Sequence, residues 1–555
     1  MASTVSTKSG KKAKAHKFAP DKAPAAPVAV GVPDIPERAW QISVLAIMLI
    51  AAALRLYDLN LVPLHHDEGV NGNFLVRLVR DGAYQYDPEN YHGPTLYYFS
   101  AIIPWITKVL FGDAARDNYG MTTFTIRLIP VLFGLGTVGL VFMLRRRLGT
   151  IGTLSAALML AVSPGAVYLS RYFIHETQFV FFTLGIVVAA LRFYETRNPT
   201  YLILGSASAA LLFATKETAF VSVGVLLIAF GSTHVYRWLY RSVMGQPSHK
   251  GRKQAPQQNP FRRFIDEMGT ANLVLSIVLA VIVFIFLNVA FYTSFFKHSQ
   301  GFYDAFKTFE IWKKTGETAH VHPWTQYVVW LASQEGPIFF TAIIGAALVV
   351  LKPKNTFALF SALWAFGLIA AYMLIGYKTP WLVLNFVIPL ALIAGYALQV
   401  VYDLAGGQVR IVAMLISILI VVGVYQSIDL NFVNYDNDKP KYVYVYAHTK
   451  RGLLDLVKNV EQIAAEKEGA TTGITILSPD YWPLPWYFRN FTRTGYYGRM
   501  GPSTEPLIIA NVNQKDEMEQ NFGHLYRQVV SKDPDGAYEL RPGVRLILYV
   551  RREGL

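Results

Sequence analysis

The 555-residue chain contains no cysteine. That absence excludes disulfides, thiolate-held metals and a cysteine nucleophile. Charge is also scarce. Only 16% of residues are Asp, Glu, Lys or Arg, against about 25% in an ordinary soluble domain. A soluble enzyme, a disordered scaffold and a disulfide-built secreted module are thereby excluded. Acidic residues are the scarcer sign, 37 against 51 basic ones, for a formal net charge of +14. In a soluble protein that excess suggests nucleic acid; here its distribution along the chain decides its meaning.

What fills the chain is apolar: 53% of residues are hydrophobic and the mean hydropathy is +0.31. Residues 1–39 are Lys/Ala/Pro-rich and read as a disordered basic cytoplasmic tail, with no small-residue cleavage site of a signal peptide. Apolar segments then recur at 40–59, 124–144, 151–169, 177–191, 201–214, 219–235, 271–291, 327–351, 356–375, 381–402 and 411–425. A bilayer needs about 20 such residues, so these predict an α-helical polytopic membrane protein of about 11 transmembrane helices, 177–191 and 201–214 being short. The transmembrane domain covers 40–427, with a long first outer loop at 60–123. Residues 428–555 form a small α/β extracytoplasmic domain: Leu453, Leu454, Val457, Val460 and Ile463 keep helical spacing, and 473–477, 507–510 and 544–550 read as short buried strands. The aromatic run from Tyr481 to Tyr487 is either a membrane-facing lip or a packed corner.

Basic residues set the orientation in a cell membrane. With the N-terminus inside, Arg145-Arg146-Arg147, Arg192, Arg197, the cluster from Arg237 to Arg263, Lys352, Lys354 and Arg410 all fall on the cytoplasmic side. This requires 92–111 to lie along the outer surface rather than cross. The cluster is then a topogenic loop near anionic lipid head groups, and nucleic acid is not a partner. Gly134-Leu135-Gly136-Thr137-Val138-Gly139 matches a dinucleotide fingerprint by letter, but it lies in an apolar span and reads as close helix packing. Gln334-Glu335-Gly336-Pro337 marks either a helix break at the site or local packing. Asn490-Phe491-Thr492 is an outward-facing sequon.

Ionisable residues in a membrane protein point to function, and here they gather in four outer turns. These are His65-His66-Asp67-Glu68-Gly69, Arg171 to Glu176, Thr215-Lys216-Glu217-Thr218 and Tyr377-Lys378-Thr379-Pro380-Trp381. Singly, each is an ordinary solvated loop charge. Together they suit group transfer from a phosphate-linked lipid donor. Asp67 would take a proton from an acceptor hydroxyl, while Arg171, Lys216 and Lys378 hold the phosphate. No metal-ligand spacing is diagnostic among His65, His66, Asp67, His175, Glu176, His320 and His322; a divalent ion, if one is used, falls to Asp67 and Glu176.

The order Asp67-Glu68, Phe111-Gly112, Arg127 resembles the GT-C class of membrane glycosyltransferases, which includes the protein O-mannosyltransferases and the lipid A aminoarabinose transferase. The motifs at 65–69, 92–96, 171–176, 215–218 and 378–381 are most similar to the prokaryotic family called flippase activity-associated, and the resemblance covers about residues 40–400. It implies that Asp67 is the catalytic base, Glu68 a second acid, and Glu176 a carboxylate that shapes the site or binds a metal. It also implies that Lys216 and Arg171 meet the lipid phosphate; His66, His92, Glu217 and Lys378 are further candidate substrate-binding residues. His92-Gly93-Pro94 departs from the Lys-Pro-Pro or His-Pro-Pro of relatives. The implied partners are a polyprenyl-phosphate-linked sugar donor, membrane lipids and an unidentified acceptor. The competing function class is a flippase, or a flippase-accessory protein, for lipid-linked sugars; such transporters carry repeated halves, and no internal repeat is visible.

Overall fold

Each of the eleven apolar segments is helical in the computed structural model, which describes residues 34–82, 84–90, 92–112, 120–244, 260–315, 321–533 and 535–552. Most of the expected basic tail, His320 and the middle of the Arg237–Arg263 cluster lie outside the described residues. The helices run Glu37–Leu56, Thr123–Phe142, Thr150–Val162 with Pro164–Ser170, Glu176–Thr196, Pro199–Phe213, Ala219–Met244, Thr270–Tyr292, Gln326–Gln334 with Gly336–Leu351, Thr356–Leu374, Leu384–Leu404 and Val409–Ile428. Among the described residues, eight helices are long and apolar enough to cross a bilayer, ten if each bent pair is one span. Pro199–Phe213, at 15 residues, falls short, so length and composition do not reach the expected eleven.

Both bent pairs break at a proline, which removes a ladder hydrogen bond. The first pair bends by 58° and the second by 112°. Buried charges satisfy the backbone groups freed at the first break. Arg55 donates to the carbonyls of Ala161 (2.9 Å) and Leu160 (3.2 Å). Glu335, at the second break, accepts from Gly165 N–H and Ser163 Oγ, both at 2.8 Å. The Glu335 motif is therefore a helix break, and its carboxylate splints the other break rather than facing the site. Gly134 packs on Ser170 and Gly136 on Phe181, the close helix contact expected of that glycine run.

Helix Thr95–Phe111 begins beside Lys216 and buries Leu96, Tyr97 and Ala101, while Ile102, Trp105, Ile106, Val109 and Leu110 are exposed. The chain beyond it returns at Gly120 against Thr107, and Met121 accepts a hydrogen bond from Arg489 of the C-terminal domain. This helix thus starts and is followed at the same end of the bundle.

The C-terminal domain is a mixed sheet of β1 (Ile474–Ile476), β2 (Thr494–Tyr496), β3 (Leu507–Asn511), β4 (Tyr526–Val529), β5 (Tyr538–Arg541) and β6 (Val544–Arg551). The order is β2-β1-β3-β6-β4, with β5 also on β6. Helix Gly452–Ala465 buries Leu453, Leu456, Val457 and Val460 against it. The aromatic run is a packed corner and not a lip. Pro483 and Trp486 lie against Gly69 and Gly72, three residues apart on one face of helix His66–Arg80, and Tyr487 Oη accepts from Leu64 N–H at 3.0 Å. A Cβ added at Gly69 would lie 2.4 Å from Pro483 Cβ and 2.8 Å from its backbone. Gly69→Ala should therefore wedge the C-terminal domain off this helix, costing about 1–3 kcal/mol as overpacking; a lower melting temperature and faster proteolysis between the two parts would show it.

Candidate active site

Where the loops gather, a cavity of about 450 Å³ opens between the helical bundle and the C-terminal domain. Its wall includes His66, Asp67, His92, Glu176, Lys216 and Glu217 from the expected set, with Arg541 added by the C-terminal domain.

Asp67 sits in the first turn of helix His66–Arg80, where a carboxylate is favoured by the exposed N–H groups and the helix dipole. His65 caps that helix. Its Nδ1 accepts Asp67 N–H at 3.2 Å, which leaves Nε2–H to donate to the Tyr446 carbonyl at 3.1 Å. The Asp67 side chain is 45% exposed and lies 3.8 Å from His65 Nδ1. It is thus fixed through its backbone and open at its carboxylate. Next to it, burial holds the His66 imidazole below its usual range.

Glu68 does not face the cavity. It is fully buried, accepting Arg127 Nε at 2.7 Å and Nη2 at 2.6 Å, Phe173 N–H at 2.7 Å and His65 N–H at 2.9 Å. Its oxygens are spent, so the expected second acid is a structural clasp between the first loop, the second span and the turn at Phe173. Arg171 is also turned away. It donates to the carbonyls of Leu54, Arg55, Tyr57 and Asp58, closing the end of helix Glu37–Leu56, and stacks on Phe432. Lys378 is buried and donates to the Ile375 carbonyl. It is its neighbours Tyr377, Thr379 and Trp381 that line the cavity. Arg171 and Lys378 therefore do not form the expected phosphate grip.

Across the cavity, Lys216 Nζ lies 2.5 Å from Glu176 Oε1, with both side chains buried. Burial pulls the Lys216 ammonium down, but Glu176 and Glu217 more than offset this and hold it above its ordinary value. Burial pushes Glu217 up, and His92, 3.1 Å away, with Lys216 brings it below the usual carboxylate range. His92 is thus occupied with Glu217. The Gly93 departure has a steric cause: a Cβ there would sit 2.1 Å from the Ala214 carbonyl oxygen, and Gly93 N–H donates to Thr215 O at 3.0 Å. Proline could supply neither the space nor the donor. His175 Nε2 meets the Gly93 carbonyl at 2.9 Å. Two buried oxygens of the wall, Glu176 Oε2 and Thr379 Oγ1, have no protein partner among the described residues. Orphaned donors and acceptors beside a cavity are what a polyhydroxylated ligand would satisfy.

The residues offer no ready metal site. Among the described residues, no three His, Asp or Glu side chains converge to hold one ion. Sequence reasoning misses Arg541, Tyr372 and Tyr446. None carried a local signal; they reach the cavity only through the packing of distant elements.

Acid should destabilise this region. Burial, His92 and Lys216 hold His175 well below its ordinary value of 6.5. Below that pH the unfolded chain takes up a proton that the folded state refuses, so stability falls as pH drops through 6.5. Glu217, lowered in the folded state, adds to the loss further down, below its ordinary 4.5. The melting temperature of the detergent-solubilised protein should fall by about a degree between about pH 7.5 and 5.5, and a flat profile would contradict the buried neutral imidazole.

Comparison with known proteins places this architecture. Residues 102–244 match the family described as dolichyl-phosphate-mannose-protein mannosyltransferase. No curated protein matches the sequence. Among solved structures, the chain resembles ArnT from Cupriavidus metallidurans bound to undecaprenyl phosphate, at 14% identity and a TM-score of 0.57, over 92% of this chain and 98% of that one. It also resembles the archaeal oligosaccharyltransferase AglB from Archaeoglobus fulgidus, in complex with an inhibitory peptide and a dolichol-phosphate, at 12% identity and a TM-score of 0.50, over 93% of this chain and 74% of that one. The fold is thus that of the GT-C glycosyltransferases, as the motif order implied. The narrower likeness to the flippase activity-associated family rests on the motifs alone.

Proposed function

We propose that this chain is an integral-membrane glycosyltransferase that moves a sugar from a polyprenyl-phosphate donor to an acceptor hydroxyl, with Asp67 as general base. The observation that carries this reading is the cavity. Loops as far apart in the chain as Asp67 and Thr379 bring an open carboxylate, buried charge pairs and unsatisfied buried oxygens to one end of an apolar helix bundle. Two similar folds hold a polyprenyl phosphate, undecaprenyl in one and dolichol in the other, which supports a donor of that chemistry.

In the proposed step the acceptor oxygen attacks the anomeric carbon as Asp67 takes its proton. The bond from that carbon to the phosphate oxygen breaks, and its electron pair leaves on the carrier phosphate. One new glycosidic bond, a free polyprenyl phosphate and a protonated Asp67 result, with inversion at the carbon attacked. Charge growing on the leaving phosphate calls for a cation in the cavity wall. Glu68 braces the helix that carries the base, and Arg171 closes the end of helix Glu37–Leu56; neither is assigned a contact with substrate. The cavity end is taken as the extracytoplasmic face, by the distribution of Lys and Arg in the loops.

The test is incubation of the purified protein with a panel of polyprenyl-phosphate sugars, followed by identification of the product. A new glycosidic bond supports the reading. Movement of intact donor across a vesicle membrane with no new bond would instead mark a flippase.

A further inference from the structure

The charges of the cavity are unevenly committed. Four carboxylates line it, Asp67, Glu89, Glu176 and Glu217, against two permanent cations, Lys216 and Arg541. Lys216 is already engaged: it and Glu176 are 4% and 3% exposed and lie 2.5 Å apart. Glu217 adds a second negative charge beside it. A phosphate drawn to Lys216 would meet two buried carboxylates. Pulling the ammonium away would leave Glu176 as an unpaired buried charge.

Arg541 is differently placed. It ends β5, just before the Pro542-Gly543 turn, where Gly543 takes φ +80°. The register of β5 on β6 shifts between Glu539 and Arg541, an irregularity of the kind that re-aims a side chain. Its one ion-pair partner among the described residues is Asp480. That carboxylate is 41% exposed and the pair is correspondingly weak and exchangeable. Among the described residues, the guanidinium makes one hydrogen bond, from Nη2 to Asp480. The rest of a planar donor fork, suited to phosphate oxygens, remains for the cavity.

We propose that Arg541, in the C-terminal domain, holds the phosphate of the polyprenyl carrier, so that this domain completes the site the helical bundle begins. The proposal rests on the transferase reading for its ligand. It assigns the phosphate to a residue outside the bundle, and it leaves Lys216 as a braced wall of the cavity.

The test uses the full chain in lipid nanodiscs and sugar-free polyprenyl phosphate as the probe, with phosphate-free polyprenol as control. Arg541→Gln should weaken polyprenyl-phosphate binding about tenfold or more and leave polyprenol binding unchanged. Asp480→Asn releases the guanidinium and should tighten phosphate binding; it keeps the proposal testable should Arg541→Gln fail to fold. Raised salt should weaken the wild type more than Arg541→Gln. Unchanged phosphate affinity in folded Arg541→Gln overturns the proposal, as does an equal loss for polyprenol or weaker binding by Asp480→Asn. The two readings fail separately. A wild type that binds the probe through Arg541 but makes no glycosidic product removes the transferase reading alone, whereas a product-forming enzyme indifferent to Arg541 removes only this one.

Discussion

Asp67→Asn is expected to lower sugar transfer by roughly 10²–10⁴-fold, the range a positioned general base contributes, while the melting temperature stays close to that of the wild type. Asparagine keeps the shape and the N-terminal place in helix His66–Arg80, but it cannot accept a proton. The side chain is 45% exposed, and the bond that anchors this turn, Asp67 N–H to His65 Nδ1, is made by the backbone and survives the change. Turnover on a polyprenyl-phosphate sugar, measured beside thermal unfolding of the same preparation, checks both halves. Normal turnover would remove Asp67 as base. A large loss of stability would show that the residue is structural.

Glu68→Gln should do the opposite, although the two residues are adjacent. Its carboxylate takes both Arg127 contacts and two backbone N–H groups, and neither partner side chain reaches solvent. Removing its charge leaves the Arg127 guanidinium buried and unpaired, a change that costs about 3–5 kcal/mol. The expected result is a sharp drop in folded protein by size-exclusion chromatography after mild heating. Arg127→Met in the same chain should recover part of it, because the orphaned charge is then gone. If Glu68→Gln melted like the wild type and lost only turnover, the residue would be a second acid after all.

This contrast shows where residue order stops being informative. Asp67 and Glu68 share a motif and a charge, and the likeness to known transferases gives both to the chemistry. The helix that starts at His66 points one into the cavity and the other back at Arg127. Charge and neighbourhood likewise mark Arg171 and Lys378 as phosphate ligands, yet the carbonyls at the end of the first span and at Ile375 claim them. A lone Arg or Lys beside a helix end is drawn to its unsatisfied carbonyls, and sequence cannot say whether a helix end lies within reach. Arg541 is the converse case. It stands in a distant domain with no motif around it and arrives at the cavity by a strand register.

By itself the sequence determined the solvent: apolar runs that can be buried only in lipid or in each other dictate a helical bundle, because hydrocarbon leaves backbone groups no other partner. It determined where the apolar helices lie, though not all their ends (219–235 is the start of a helix that runs Ala219–Met244), the mixed C-terminal domain and the loops in which charge collects, since those follow from composition and local periodicity. Only the tertiary structure decided which charges face the cavity and which clasp the fold. That choice depends on distances between segments far apart in the chain, and a charge excluded from water goes to whichever partner packing brings nearest.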